Sequence, residues 1–390
     1  MKIVIGICGS IAAYKSLELI RILKKEGADV RVILTKSALH FVTPLSCQTL
    51  SSNEVFIDQF TLTKGIKHIS LSQWADLLVV GPATANIIGK AACGIGDDLL
   101  STTIMSFQKP VLFVPAMDTG MWQNKIVQEN VMKLKKTGYH FLEPTHGFLA
   151  SGNIGKGRFP HIVLIFKKII AVLERQKSLA GSKFLISGGR TEEDLDTVRV
   201  ITNRSSGRMA AELLYAVVCR DGQARGIFGE TTYNLPEGFD VIRARTSKAM
   251  YDNLKKNMSW CDCLIMAAAV GDYGPVSKKS EKIHEVRLNI SMKKNKDLLK
   301  ELSTYRGRKL SVGFSLEDVA QLKRGKMKLV QKGLDFVVLN SINAIGREKI
   351  NAKIMKKDGK IINVGRVSKW RLANKILDEC VKEIHKKNRG

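Results

Sequence analysis

The stretch best equipped for chemistry runs from Thr191 to Met209 and places Arg199, Asn203, Ser205 and Ser206 among small and polar neighbours. A carboxamide such as Asn203 donates and accepts hydrogen bonds without adding charge. Small residues ahead of a helix leave backbone N–H groups open to an anion. The plain alternative is a solvated loop capping a helix that starts at Ser205 or Ser206. Earlier, Gly9-Ser10 follows an apolar run, where it would cap the first helix and expose its N–H groups to a phosphate. Thr35 and Ser37 follow a second run and offer hydroxyls to the same crevice. Gly81-Pro-Ala-Thr-Ala-Asn86 and Gly96-Asp-Asp-Leu-Leu-Ser101-Thr102 read as further turns into helices, and Pro115 to Trp122 follows another strand. His68 taken by itself reads as an ordinary surface or core histidine.

These groups need a frame, and the hydrophobic pattern supplies one. Strands are expected at Lys2–Cys8, Val30–Thr35, Leu77–Val80, Pro110–Val114 and Tyr139–Leu142, with a helix over Ile11–Glu26. Alternating strands and helices of this kind build a doubly wound α/β domain. The chain then starts again. Lys183-Phe-Leu-Ile-Ser-Gly-Gly repeats the opening logic, and strands follow at Ala224–Phe228, Asp262–Ala267, Leu310–Phe314 and Asp335–Leu339. A late hairpin pairs Ala352–Met355 with Ile361–Val364, and an amphipathic helix from Val367 to Lys387 packs on the sheet. Two tandem domains result, 1–180 and 181–390, joined by a short linker at Ser178–Ser182. Gly147 to Arg158 holds too many glycines for a strand or helix and reads as a mobile flap.

The 390 residues carry a formal net charge of +27. The lysines are spread over helices with few interleaved aromatics, which argues against a nucleic-acid module and leaves a basic surface with a focused anion site. No apolar run nears the roughly 20 residues of a spanning helix, so a soluble cytoplasmic protein is expected. Seven scattered cysteines, with Cys261 and Cys263 too close for a zinc pattern, read as buried thiols rather than disulfides. Neither a GxGxxG fingerprint nor a P-loop lysine motif occurs at the first turn, and a single-phosphate flavin fits better than NAD.

The motifs Gly9-Ser-Ile-Ala-Ala-Tyr-Lys15, His68-Ile, Pro82-Ala-Thr-Ala-Asn86, Pro115-Ala-Met-x-x-x-Met-Trp122 and Gly152-x-x-Gly-x-Gly-Arg158 resemble the flavin-dependent cysteine decarboxylases. With Leu195-Asp-x-Val-Arg199, Asn203-x-Ser-Ser-Gly-x-Met209, Ala267-Ala-Ala-Val-x-Asp272-Tyr and Gly313-Phe314, the whole chain resembles the bifunctional phosphopantothenoylcysteine decarboxylase/phosphopantothenate-cysteine ligases of coenzyme A synthesis. The resemblance implies a flavodoxin-like FMN domain followed by a Rossmann-like ligase domain. It also implies trimeric packing of the decarboxylase, with flavin at a subunit interface, and dimeric packing of the ligase.

For the first half, the resemblance implies FMN contacts at Gly9, Ser10, Thr35, Ser37, Ala83, Asn86, Ser101 and Thr102, and His68 as base. The flavin would oxidise the substrate thiol to a thioaldehyde that takes up electrons as carbon dioxide leaves, then return the hydride. For the second half it implies cytidine triphosphate (CTP) with Mg2+, an acyl-cytidylate handled by Asn203, and a nucleotide site at Asp272, Lys282, Lys294, Asn295, Lys296, Asp297, Phe314, Lys328 and Lys332. Phosphopantothenate and cysteine complete the substrates. The metal ligands are not identified.

Three departures stand out. Asp118 replaces the family's usual asparagine and Ser151 its usual proton-donating cysteine, and Lys282-Ile-His284-Glu285 stands where the family has Lys-x-Lys-Lys. Repulsion from the substrate carboxylate and partial burial are expected to raise the Asp118 pKa, so that a protonated Asp118 mimics asparagine and supplies a proton through Ser151. The alternatives are an active ligase with a degenerate decarboxylase half, a decarboxylase of peptide cysteines, a nicotinamide oxidoreductase and a nucleic-acid-binding protein.

Overall fold

The computed structural model describes all residues except 61–64, 175, 177, 236–237, 286, 306, 308, 318–320, 342–346, 348 and 388–390, and only the backbone of 317, 321, 341 and 385–387. Contacts divide the chain into two units, the first built chiefly from Met1–Gln176. Its sheet contains β1 (Lys2–Ile7), β2 (Asp29–Leu34), β3 (Val55–Phe56), β4 (Leu77–Ala83), β5 (Val111–Pro115) and β6 (His140–Phe141). All pair in parallel in the order β3-β2-β1-β4-β5-β6. Apart from the two-residue edge strand β3, this is a flavodoxin-like order, reversing direction between β1 and β4. β4 is buried at all seven positions, as a parallel strand covered by helices on both faces must be.

The expected glycine flap is instead an antiparallel hairpin, β7 (Thr145–Phe148) with β8 (Ile154–Arg158). Its glycines serve close approach. A Cβ on Gly157 would lie 2.2 Å from the Met117 carbonyl oxygen, and one on Gly155 would lie 2.1 Å from Thr119 Oγ1.

The second unit repeats the opening order. β9 (Lys183–Gly188) lies between β12 (Gln223–Phe228) and β14 (Cys263–Met266); β13 (Asp240–Arg243) flanks β12, and β17 (Leu310–Glu317) and β18 (Phe336–Ser341) follow β14. Those six are parallel, and β19 (Lys349–Lys356) and β20 (Ile361–Ser368) close the sheet antiparallel. Two short ribbons, β10 (Glu192–Asp194) with β11 (Val200–Thr202) and β15 (Tyr273–Pro275) with β16 (Met292–Lys294), rise from its loops. Three-residue polar strands carry too little periodicity to be read from sequence. Apolar clusters fill the second unit. One takes in Leu372, Ile376, Leu377 and Cys380 of the last helix, Lys369–Lys387, which therefore packs on the sheet as expected. Leu179 is also in that cluster, so the second core begins inside the expected linker.

Helix starts differ from the sequence reading. The first helix is Ala13–Lys25, with Ala12 at its cap and no capping side chain, so Gly9-Ser10 forms a turn before it. The helix expected at Ser205 or Ser206 is Arg208–Cys219, capped by Gly207 at φ 77°. Only a residue tolerant of left-handed backbone suits that cap. Cys93 is exposed, contrary to the expectation of buried thiols, while the other six cysteines are buried. No helix among the described residues is long and apolar enough to cross a membrane.

Candidate active sites

In the first unit, the strand order brings the ends of β2, β1 and β4 side by side. Gly9 and Ser10 follow β1, Thr35 and Ser37 follow β2, and Ala83 ends β4 just before Asn86 in the helix Ala85–Cys93. A Cβ on Gly9 would stand 2.5 Å from Ser37 Cβ, so the missing side chain lets the two loops meet. Ser101 is fully buried and locked in a capping box: its N–H donates to Asp98 Oδ1 at 2.8 Å and its Oγ accepts from the Asp98 N–H at 3.1 Å. Its side chain therefore fixes the helix start Leu99–Ser106. Thr102 Oγ1 donates to the Gly96 carbonyl at 3.1 Å.

Asp118 and Ser151 converge on a cleft of 580 Å³ that also takes in Ser10, Tyr14, Lys15 and Arg158. Ser151 Oγ donates to Asp118 Oδ2 at 2.9 Å, and the Gly120 N–H donates to Asp118 Oδ1 at 2.9 Å. These donors, the Gly120 N–H foremost, hold the Asp118 carboxyl below its ordinary pKa. The partial burial expected to raise it is absent, since the side chain is exposed in the ligand-free protein. Lys15 and Arg158 belong to the sequence motifs, yet only the tertiary structure marks them as cleft residues. His68 lies on the helix Lys67–Trp74, outside the lining of that cleft, and its carbonyl accepts from Ser72 Oγ at 2.6 Å.

In the second unit, a cleft of 870 Å³ is lined by Asn203, Asp272, Lys294, Asn295, Lys296, Asp297, Phe314, Lys328 and Lys332. One loop after β14, one after β16 and the end of β17 thus meet at the parallel sheet's carboxyl edge, where open α/β sheets bind ligands. Asn203 Nδ2 donates to the carbonyls of Val270 at 2.9 Å and Ala269 at 3.4 Å. Carbonyls only accept, so the amide orientation is fixed and Oδ1 is left as the group to offer a ligand. Asn295 buttresses: its Nδ2 donates to the Gly271 carbonyl at 2.9 Å. Lys328 donates to the Phe314 carbonyl. Burial alone would raise the Asp297 carboxyl, but Lys332 at 2.8 Å, with Lys328 beyond, holds it below its usual range.

Lys282 is not brought to the cleft; it is exposed beside buried Ile283. Asp196 and Arg199, quoted in a motif but given no role from sequence, fasten this segment. Asp196 Oδ2 accepts from the Ile283 N–H at 3.0 Å, and Arg199 Nη1 donates to the Ile283 carbonyl at 2.9 Å and to Asp196 Oδ2 at 2.6 Å. The Ile283 N–H foremost, with Arg199 and Val198, holds Asp196 far below the ordinary carboxyl pKa. His284 and Glu285 are exposed, with Glu285 Oε1 3.7 Å from Lys279 Nζ. Among the described residues no group of three or more His, Cys, Asp or Glu could hold a metal ion.

Residues 1–174 match the Flavoprotein family and residues 179–384 match the DNA/pantothenate metabolism flavoprotein C-terminal domain. The chain is 35% identical over 381 residues to the coenzyme A biosynthesis bifunctional protein CoaBC of Borreliella burgdorferi, covering 96% of this chain and 97% of that one. It is also 35% identical over 390 residues to the protein of that name from Bacillus subtilis, covering 97% and 96%. Among solved structures, the C-terminal domain of a CoaBC aligns over 53% of this chain and 98% of its own, at 25% identity and TM-score 0.47. The FMN binding protein AtHal3 aligns over 45% and 97%, at 32% identity and TM-score 0.40.

Proposed function

Because the chain belongs to the family of coenzyme A biosynthesis bifunctional proteins, we propose that its two clefts are the two active centres of that chemistry. The protein is a bifunctional enzyme, a flavoprotein phosphopantothenoylcysteine decarboxylase joined to a phosphopantothenate-cysteine ligase. The observation that best supports placing the ligase is the gathering of Asn203, Asp272, Asp297, Phe314 and four lysines in one cleft.

A carboxylate resists attack by an amine because of its negative charge. In the proposed ligase reaction the phosphopantothenate carboxylate attacks the α-phosphate of CTP, pyrophosphate leaves, and the acyl-cytidylate passes its acyl group to the cysteine amine with loss of cytidylate. Lys294, Lys296, Lys328 and Lys332 would offset the charge on the triphosphate and on departing pyrophosphate. Asn203, its amide N–H groups held by Val270 and Ala269, would present Oδ1 to an N–H of the bound acid or the incoming amine. Mg2+ fits this site as a partner of the triphosphate, since the cleft offers two carboxylates rather than a protein cage.

FMN fits the first unit, where glycine at position 9 admits close approach and the ends of β1, β2 and β4 supply Ser10, Thr35, Ser37, Ala83 and Asn86, with the Ser101–Thr102 helix start beside them. When bound it supplies reversible two-electron oxidation of the substrate thiol. The chain's own task is the proton. After carbon dioxide leaves, the substrate carbon must be protonated, and Ser151, hydrogen-bonded to Asp118, would be the hydroxyl that passes one on. Asp118 is anionic in the free protein; the substrate carboxylate beside it would push its pKa up. His68 would serve as base, within the trimeric packing and interfacial flavin that the family implies, and the ligase half would pair as a dimer. A cytoplasmic location suits these substrates.

The test is direct. Purified protein should be yellow, should release pyrophosphate with CTP, phosphopantothenate and cysteine, and should release carbon dioxide from phosphopantothenoylcysteine. A flavin-loaded protein that ligates but releases no carbon dioxide would identify the first unit as a degenerate scaffold.

A further inference from the structure

The ligase cleft carries a cationic group that the quoted motif residues do not account for. Seven cations line the cleft against two carboxylates. Two of the seven come from helix starts: Arg208, at a variable position of the Asn203 motif, opens the helix Arg208–Cys219, and Lys369, outside every quoted motif, opens Lys369–Lys387. Lys369 is only 8% exposed, and no ion pair or hydrogen bond joins its ammonium to a described residue. Burial foremost, then the Arg208 charge, press its pKa down, and Glu212 only partly offsets them. Glu212 itself lies 3.7 Å from Arg208 Nε.

The side chain is buried while its ammonium is left to the cleft, and a largely desolvated charge with no close anion is costly to retain. Asn340 lines the same cleft, is 9% exposed, and has its carboxamide oxygen buried without a hydrogen-bond partner. Its amide nitrogen is not among the buried atoms, so N–H groups are what this residue turns toward the cleft. Ahead of Arg208, the Gly207 and Arg208 N–H groups reach only the Ser205 and Ser206 hydroxyl oxygens, each at a long 3.4 Å, at the start of a twelve-residue helix that is positive in its dipole. A lysine, an asparagine and a helix start on three different elements therefore line one cleft.

We infer that Lys369, with Asn340 and the Arg208 helix start, forms a phosphoryl-binding subsite of the ligase cleft, so that Lys369 is a substrate-binding residue. This rests on the ligase reading of the cleft. Phosphoryl oxygens supply the missing anion and accept from every donor there. Two ligands carry such a group, the triphosphate tail of the nucleotide and the phosphomonoester of the acid substrate.

The experiment measures pyrophosphate release by the full chain as wild type, Lys369→Gln and Lys369→Arg. If the subsite binds the nucleotide tail, Lys369→Gln raises the KM for CTP roughly tenfold or more, the scale of a lost charge-assisted hydrogen bond. If it binds the phosphomonoester, the KM for phosphopantothenate rises instead. In either case the KM for cysteine stays put and Lys369→Arg recovers part of the loss. A folded Lys369→Gln with both phosphorylated-substrate KM values unchanged overturns the inference. Should Lys369→Gln fail to fold, acetylation of Lys369 in wild type, followed by mass spectrometry, decides: pyrophosphate or phosphopantothenate should protect it, and protection by neither overturns the inference. Absence of wild-type ligation would instead overturn the ligase reading itself.

Discussion

Ser151 Oγ donates to Asp118 Oδ2 across 2.9 Å, tying the tip of the β7–β8 hairpin to the loop after β5. The two departures from the decarboxylase pattern are therefore one hydrogen-bonded pair. Asp118→Asn should retain carbon dioxide release, because an amide still accepts from Ser151, whereas Asp118→Ala should lose it by roughly a hundredfold or more, the scale of losing the proton donor that Asp118 aligns. Ser151→Cys should speed turnover, a thiol being a stronger acid than a serine hydroxyl. Equal rates for Asp118→Ala and wild type would remove the pair from the chemistry.

Gly157 is a second lever on the same cleft. Its Cβ would meet the Met117 carbonyl oxygen at 2.2 Å, and backbone on one side leaves no flexible group to yield. Gly157→Ala should displace the hairpin, weaken flavin retention or decarboxylation, and leave ligation unchanged. Absorbance of bound flavin and the two activities measured on one preparation check this.

Asn203→Ala should spare flavin binding and slow conversion of the acyl-cytidylate to product. The carboxamide is exposed and held by two backbone carbonyls, so its loss should change stability little. Unaltered single-turnover ligation by that variant would exclude it from the mechanism.

Glu143 gives a pH signature in the first unit. Burial would raise its pKa, but Lys156 at 2.6 Å and Lys135 at 2.9 Å bring it down to about 2 from 4.5. Because the folded value lies below the unfolded one, the pair's stabilisation is present above pH about 4.5 and is lost as pH falls toward about 2. The side chain is 45% exposed, so water screens the effect and the change is small. Melting of wild type against Glu143→Gln should differ at pH 6 and converge as the solution is acidified; a constant gap would sink the assignment.

The second unit has its own sheet and core. A fragment beginning ahead of Leu179 should release pyrophosphate by itself, while one starting at Lys183 should be less stable, since it lacks a residue of the core. Comparing melting and ligation of the two fragments tests both statements.

Hydrophobic runs at Lys2 and Lys183 made the central parallel strands of both sheets legible, because a strand covered on both faces must be apolar along its length. Motif order did the same for the ligase cleft: Asn203, Asp272, Lys294 and Phe314 stand far apart in the chain, and the sheet's topology brings them to one edge. Other features depended on what the chain packs against. The glycines from Gly147 to Gly157 read as a flexible segment because sequence does not reveal the Met117 carbonyl or Thr119 pressed against them. Asp118 carried an expected raised pKa because only the folded loop supplies the Gly120 N–H and the Ser151 hydroxyl. Lys369 looked like any other lysine in a basic chain. Its burial near Arg208, in a cleft that Asn340 also lines, arises where distant elements come together, a relation that tertiary structure alone decides.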